Sequence, residues 1–231
     1  MMAKKKSGQN SDRLFKSLES IVTLSKHSEE TDQEILGLTS VAGQAIQQVT
    51  DTSRLPRLKR FRFQLLHQWL VRNLEPCKVA DIGGGKGLLS YLLIQSGWDA
   101  TVIDPFEQPL PVKFKDIASD SRVKIPLHVK IPYLKGDFQP ELAQPFDLLI
   151  GMHAHGCNVK IIDAAARYGC GFVIFPCCVI DEPFYPPLGM HWLESLADYA
   201  VKQGQEIYPF RLNFKGQNIG LYKEGRCRPR T

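Results

Sequence analysis

The chain has 231 residues, 43% of them hydrophobic, and a formal charge of +5, enough to bury one substantial core and a small appendage. No apolar run reaches the roughly 20 residues a membrane span needs, and no signal-peptide core follows MMAKKKSGQNSD, so a soluble cytoplasmic protein is expected. Six cysteines at 77, 157, 170, 177, 178 and 227 make no CxxC pair, which suggests neither a disulfide framework nor a zinc ribbon and makes reduced thiols the expectation.

Residues 1–12, polar and with three consecutive lysines, cannot bury enough surface to offset their ordering entropy and read as a mobile basic tail. Residues 13–52 form a helical extension: Leu14, Leu18, Ile21 and Val22, then Ile35, Leu38, Ala42, Ile46 and Val49, recur near the helical period, with a break over Ser28 to Asp32. The main domain follows over 53–231. Its first helix starts near Ser53, a capping residue, and sets Leu58, Phe61, Leu65 and Trp69 on one face against Arg57, Arg60, Gln64 and Gln68 on the other. The stretch RLPRLKRFR, with Arg54, Arg57, Lys59, Arg60 and Arg62 and no acid, is either a solvated helix face or a nucleic-acid contact.

After Pro76, short apolar strands alternate with helices, the pattern of a parallel sheet covered on both faces. Strands are expected at 78–82, 100–104, 128–134, 146–151 and 171–176. Helices fit 87–95, 113–119 and 159–168, and a last one over 190–202 leads into EIYPFRLNF, KGQN and IGLYK. The four-residue turn is too short for a crossover, so these final runs make an antiparallel hairpin.

The turn VADIGGGKGLLS (79–90) follows the first strand. It is not a P-loop, because Lys86 is followed by Gly87 and leucines and no hydroxyl is placed to meet magnesium. Glycines at 83, 85 and 87 run G-x-G-x-G, not the G-x-G-x-x-G of dinucleotide sites. S-adenosylmethionine, compact in its middle and lacking a pyrophosphate, fits a backbone without Cβ atoms at Gly83 and Gly85. Asp81 can accept from its ammonium, Asp104 from both ribose hydroxyls, and Asp137 from the adenine amino group, with Phe138 against the ring.

With the acid of VIDP, the GDF stretch, FDLLIG and the closing hairpin, the sequence resembles the class I S-adenosylmethionine-dependent methyltransferases over most of 54–223. The resemblance implies a Rossmann-like α/β sheet, mostly parallel with an antiparallel C-terminal hairpin, here carrying an N-terminal helical extension. The turns GMHAHGC (151–157) and FPCCV (175–179) look like those of a narrower subgroup with a GxH-type turn after strand four and a paired-cysteine turn after strand five. That subgroup includes tRNA ribose 2′-O-methyltransferase-like proteins. His153, His155, Cys177 and Cys178 are then the residues around the transferred methyl. His155 stands where the subgroup has cysteine or aspartate, so location carries over and mechanism does not.

A histidine titrating near neutrality can take the proton of a hydroxyl or amine acceptor. The same cluster can be read as a zinc site, though its spacing matches no common structural one, or its cysteines as small buried hydrophobes. No metal is expected. GMHAHG lacks the NPPY-like tetrapeptide of amino-targeting methyltransferases, which favours another acceptor. The aromatic, proline-rich DEPFYPPLGMHW suits either a loop that stacks a planar substrate or one packed on the core. RNA, tRNA or rRNA, is the expected substrate, gripped by the basic helix and lysine tail. A small-molecule or protein substrate and a non-catalytic binding module are the alternatives.

Overall fold

The computed structural model describes residues 11–23 and 61–230. The lysine tail through residue 10, the second helix of the extension and the basic residues Arg54, Arg57, Lys59 and Arg60 lie outside the described residues.

Helix α1 covers the described residues 11–23, so Ser11 and Asp12, counted with the tail above, are helical. α2 follows at Arg62–Asn73, then β1 (Lys78–Ile82), α3 (Leu88–Gln95) and β2 (Asp99–Asp104). A short ribbon of β3 (Lys113–Lys115) and β4 (Arg122–Lys124) precedes β5 (Tyr133–Lys135) and β6 (Leu148–Met152). The chain closes with α4 (Asn158–Tyr168), β7 (Gly171–Phe175), α5 (Trp192–Lys202), β8 (Tyr208–Arg211) and β9 (Ile219–Lys223).

Seven strands form one sheet in the order β5-β2-β1-β6-β7-β9-β8. β1 pairs in parallel with both β2 and β6, β2 with β5, and β6 with β7, whereas β9 runs antiparallel to β7 and β8. This is a Rossmann-like sheet, mostly parallel and closed by an antiparallel C-terminal hairpin, the architecture expected from the sequence. From β1 the chain builds outward to β5 and then returns to the other side of β1 with β6. The strand order reverses there, and such a reversal opens a crevice at the carboxyl ends of the strands.

The central strands are apolar on both faces because helices cover both. All five residues of β6 and of β7 are buried. On one face Ile82, Leu149, Phe172 and Ile174 pack with Ile161 and Ile162 of α4 and Leu193 and Leu196 of α5. Leu18 of α1, fully buried, joins that cluster, with Leu14, Phe15, Ile21 and Val22 against it. Arg211 fixes the same helix by ion-pairing Asp12 at 2.6 Å. On the other face Leu65, Trp69 and Leu70 of α2 and Leu89 and Leu93 of α3 meet Val79, Ile150 and Val173.

Three expectations are corrected. Residues 113–119 are strand β3 and a turn, not a helix. What holds them is Gln64, read from the sequence as polar-face but buried: its amide donates to the Lys115 carbonyl (2.6 Å) and accepts from the Ile117 N–H (2.9 Å). The strand expected at 128–134 contracts to Tyr133–Lys135. Finally, Cys77 and Cys227 are paired as a disulfide, with Cα atoms 5.6 Å apart and 150 residues between them in sequence. The remaining four cysteines are free thiols. No helix among the described residues is long and apolar enough to cross a membrane.

Candidate functional site

The glycine turn joins β1 to α3. Gly83, Gly85 and Gly87 have φ of 64°, 55° and 69°, the left-handed region that L-residues with a Cβ avoid. A Cβ on Gly87 would also sit 2.0 Å from Ile131, and one on Gly84 2.7 Å from the Asp81 carboxylate. The turn therefore lies directly on Asp81, which is 1% exposed and accepts from the Ser90 hydroxyl at 2.9 Å. Burial, reinforced by the charge of Asp104 and only partly opposed by Ser90, pushes the Asp81 carboxyl up to about 6. A buried carboxylate held this far above its ordinary range is short of a cationic partner.

Asp104 ends β2 beside the turn. One carboxylate oxygen accepts from the Gly85 N–H (3.0 Å) and the other from the Phe106 N–H (2.9 Å). The second lone pairs of these oxygens face the neighbouring Tyr133 hydroxyl as well as any ligand hydroxyl. Next to it opens a cleft of about 520 Å³ lined by Pro105, Phe106, Glu107, Gln108, Pro109 and Lys135. Phe106 is 74% exposed there, an apolar ring offered to solvent beside two acids.

Asp137 is exposed after β5, at the same end of the sheet. Phe138 is placed differently from the sequence reading: it is 2% exposed and packs in the core with Ala143 and Phe146, so its ring belongs to the interior and not to a ligand face. Phe106, unnoticed in the sequence, is the aromatic ring that the fold leaves open beside Asp104. Lys86 is exposed.

The turns after β6 and β7 come together as expected, and their close approach is built into the backbone. A Cβ on Gly83 would lie 3.1 Å from the Ala154 Cβ, so the turn after β6 abuts the glycine turn. One on Gly156 would strike Asp181 at 2.8 Å, so it also abuts the loop after β7. His153 and Asp181, both non-glycine, adopt φ of 61° and 60°, strain that persists only where the surroundings enforce it. Glu182 supplies part of that enforcement. Its buried carboxylate accepts from the Asn158 N–H (2.9 Å), the Asn158 side-chain amide (2.6 Å) and the Val159 N–H (3.2 Å), capping α4 from the loop after β7. Neither Glu182 nor Ser90 was singled out from the sequence, because each acts through a partner far from it in the chain or a turn of helix away.

His155, Cys177 and Cys178 converge. Cys178 Sγ lies 3.1 Å from His155 Nδ1, Cys177 Sγ 3.7 Å from Nε2, and the two sulfurs 3.6 Å apart. Cys177 and His155 are exposed and Cys178 half-buried, which removes the reading as a small buried hydrophobe for Cys177. His153 stands apart from the trio, its ring edge-on to Phe214 at 6.2 Å between centroids. In the 181–192 loop Phe184 packs on Trp192 and Tyr199 (5.3 and 5.4 Å), while Tyr185 is 78% exposed. The loop is thus partly core-packed and partly open. Of the basic set only Arg62 is described, with its guanidinium 4.3 Å over the Phe63 ring.

No family model matches the chain. Over 105 residues it is 33% identical to a probable tRNA (uracil-O(2)-)-methyltransferase of Caenorhabditis elegans, a match spanning 45% of this chain and 18% of that protein. Among solved structures it resembles the Pyrococcus abyssi tRNA (uracil-54, C5)-methyltransferase in complex with S-adenosyl-L-homocysteine, with TM-score 0.41, 13% identity, and 71% of this chain and 38% of that one covered. It also resembles CalO1, a methyltransferase in calicheamicin biosynthesis, with TM-score 0.39, 13% identity, and 68% and 52% covered. The fold assignment rests on the strand order and register given above.

Proposed function

We propose that the chain binds S-adenosylmethionine in the crevice at the carboxyl ends of β1, β2 and β5 and transfers its methyl group to RNA, tRNA first. The observation that carries this reading is the bond between Asp104 and the Gly85 N–H, which makes the acid of β2 and the glycine turn of β1 one preformed seat. In it the ribose hydroxyls donate to the second lone pairs of Asp104, and the methionine ammonium supplies the cation that Asp81 lacks. Phe106, beside Asp104, offers a ring to the adenine, and Asp137 takes its amino group.

Methyl transfer is an in-line displacement: a lone pair of the acceptor forms the new bond to carbon as the carbon–sulfur bond breaks, leaving S-adenosylhomocysteine. Where the acceptor is a hydroxyl its proton must leave, and His155, at the turn that abuts the glycine turn, is the candidate base. RNA as substrate is supported by the similarity to a tRNA methyltransferase over 105 residues and by the basic stretch through Arg62. A cytoplasmic location is part of this proposal.

The test is incubation of the purified chain with methyl-labelled S-adenosylmethionine and bulk tRNA or rRNA, followed by mass spectrometry of the nucleosides. Label in a ribose-methylated or ring-methylated nucleoside is expected. RNA affinity should fall with salt and with neutralisation of Arg57, Lys59, Arg60 and Arg62. Cofactor binding without transfer to either RNA would move the substrate to a small molecule or protein.

A further inference from the structure

We propose that His155, Cys177 and Cys178 form a site for one zinc ion, with a coordination position left open at the crevice. Zinc bonds of about 2.3 Å to sulfur and about 2.0 Å to nitrogen, at tetrahedral angles, place sulfur pairs about 3.8 Å apart and sulfur–nitrogen pairs about 3.5 Å apart. The sulfurs here are 3.6 Å apart, and the sulfur–nitrogen separations are 3.7 and 3.1 Å. One donor atom from each residue falls within 4.8 Å of the others. The two sulfurs face different ring nitrogens, so a metal held by one nitrogen draws the second sulfur in from a separation of up to 4.8 Å.

Sequence spacing argued against zinc because common structural sites take their ligands from paired short motifs. Here the fold supplies the pairing. His155 is held at the end of β6 and the vicinal cysteines at the end of β7, with the Gly156–Asp181 approach and the Glu182 cap fixing the two turns against each other. Ligands positioned in this way lose little further freedom on binding, and two thiolates with one imidazole are the donor set that zinc takes over harder cations.

Three protein ligands, two of them exposed, are the pattern of a site that keeps a place for water or substrate and not of a closed structural one. Ala154, next to His155, lies against the glycine turn, so the trio is placed beside the seat proposed for the methyl donor. With its ring nitrogen on the metal His155 would no longer serve as the base, and the metal would instead receive the heteroatom of the acceptor, lowering its affinity for its proton. This last role rests on the methyltransferase reading; the metal site does not.

The reduced chain, freed of metal, is titrated with Co²⁺ and then Zn²⁺. Expected are one Co²⁺ per chain with thiolate charge-transfer and tetrahedral ligand-field bands, displaced by Zn²⁺. Changes outside the ligand set already weaken such sites by about 10–100-fold, so Cys178→Ser and His155→Ala should each cost at least about tenfold in affinity, and Cys157→Ala nothing. All three variants are checked for an unchanged far-ultraviolet spectrum and melting profile. Absence of thiolate bands in the reduced wild type, or bands equal in wild type and Cys178→Ser, overturns the proposal. Calorimetry with S-adenosylmethionine on the same metal-free samples separates the two readings: cofactor binding without Co²⁺ bands defeats only the metal site, and bands without cofactor binding defeat only the methyl-donor seat.

Discussion

Asp81 carries the sharpest electrostatic signature of the site. Its carboxyl titrates at about 6 in the folded chain against about 3.9 when unfolded, so keeping it ionised at neutral pH costs on the order of 3 kcal/mol. The contribution to folding from the protonated form is present in full below about pH 3.9 and is lost as pH rises through 6. A bound ammonium reverses the preference. Cofactor affinity should therefore peak near pH 7, fall toward tenfold per pH unit below about pH 6, and fall again above about pH 8 as the ammonium loses its proton, and Asp81→Asn should be weak and lack the step near pH 6. Calorimetry at a series of pH values reads this directly; a wild-type profile without a step near pH 6 would show that Asp81 meets no cation. The acids and the outer glycines of this seat were legible because residue type, strand end and spacing together define them. Gly84, Ser90 and Phe106 were not. Gly84 is required by a carboxylate folded beneath it, Ser90 faces that carboxylate from a helix, and Phe106 is conspicuous only once its neighbours are seen to leave it exposed.

At the scale of elements, the parallel strands and their helices could be read from apolar runs and turn residues, since each buries both faces or one stripe. The β3–β4 ribbon could not. Its strands are three residues each and β4 is exposed throughout, so no periodicity marks it, and its anchor is the side chain of Gln64 from a distant helix. α4 shows the same dependence on remote partners, because its N-terminal amide groups are satisfied by Glu182. Glu182→Gln would turn an amide donor toward the Val159 N–H or surrender one acceptor, and is expected to cost about 1–3 kcal/mol of stability. Denaturant unfolding measures that loss. A change below a few tenths of a kcal/mol would mean that the loop after β7 is not fastened through this carboxylate.

Over the whole molecule, a parallel sheet covered on both faces and closed by an antiparallel hairpin was legible in the alternation of strand and helix, but the placement of the N-terminal helix was not. Its amphipathic pattern gave a helix without saying what it meets. The fold answers with Leu18, fully buried among α4, α5 and the sheet, and with Arg211 reaching back to Asp12. Leu18→Ala should accordingly destabilise the domain by about 2–5 kcal/mol; a thermal melt indistinguishable from wild type would mean that α1 does not contribute to the core. The match over 18% of the Caenorhabditis elegans relative leaves substrate choice to experiment, and the account stands first on whether the crevice takes the methyl donor. Calorimetry of S-adenosylmethionine against wild type and Asp104→Ala tests that most directly. The account predicts one site per chain, weakened at least about tenfold when Asp104 and its hydrogen bonds to ribose are removed; no binding to wild type, or equal binding to both, would contradict it.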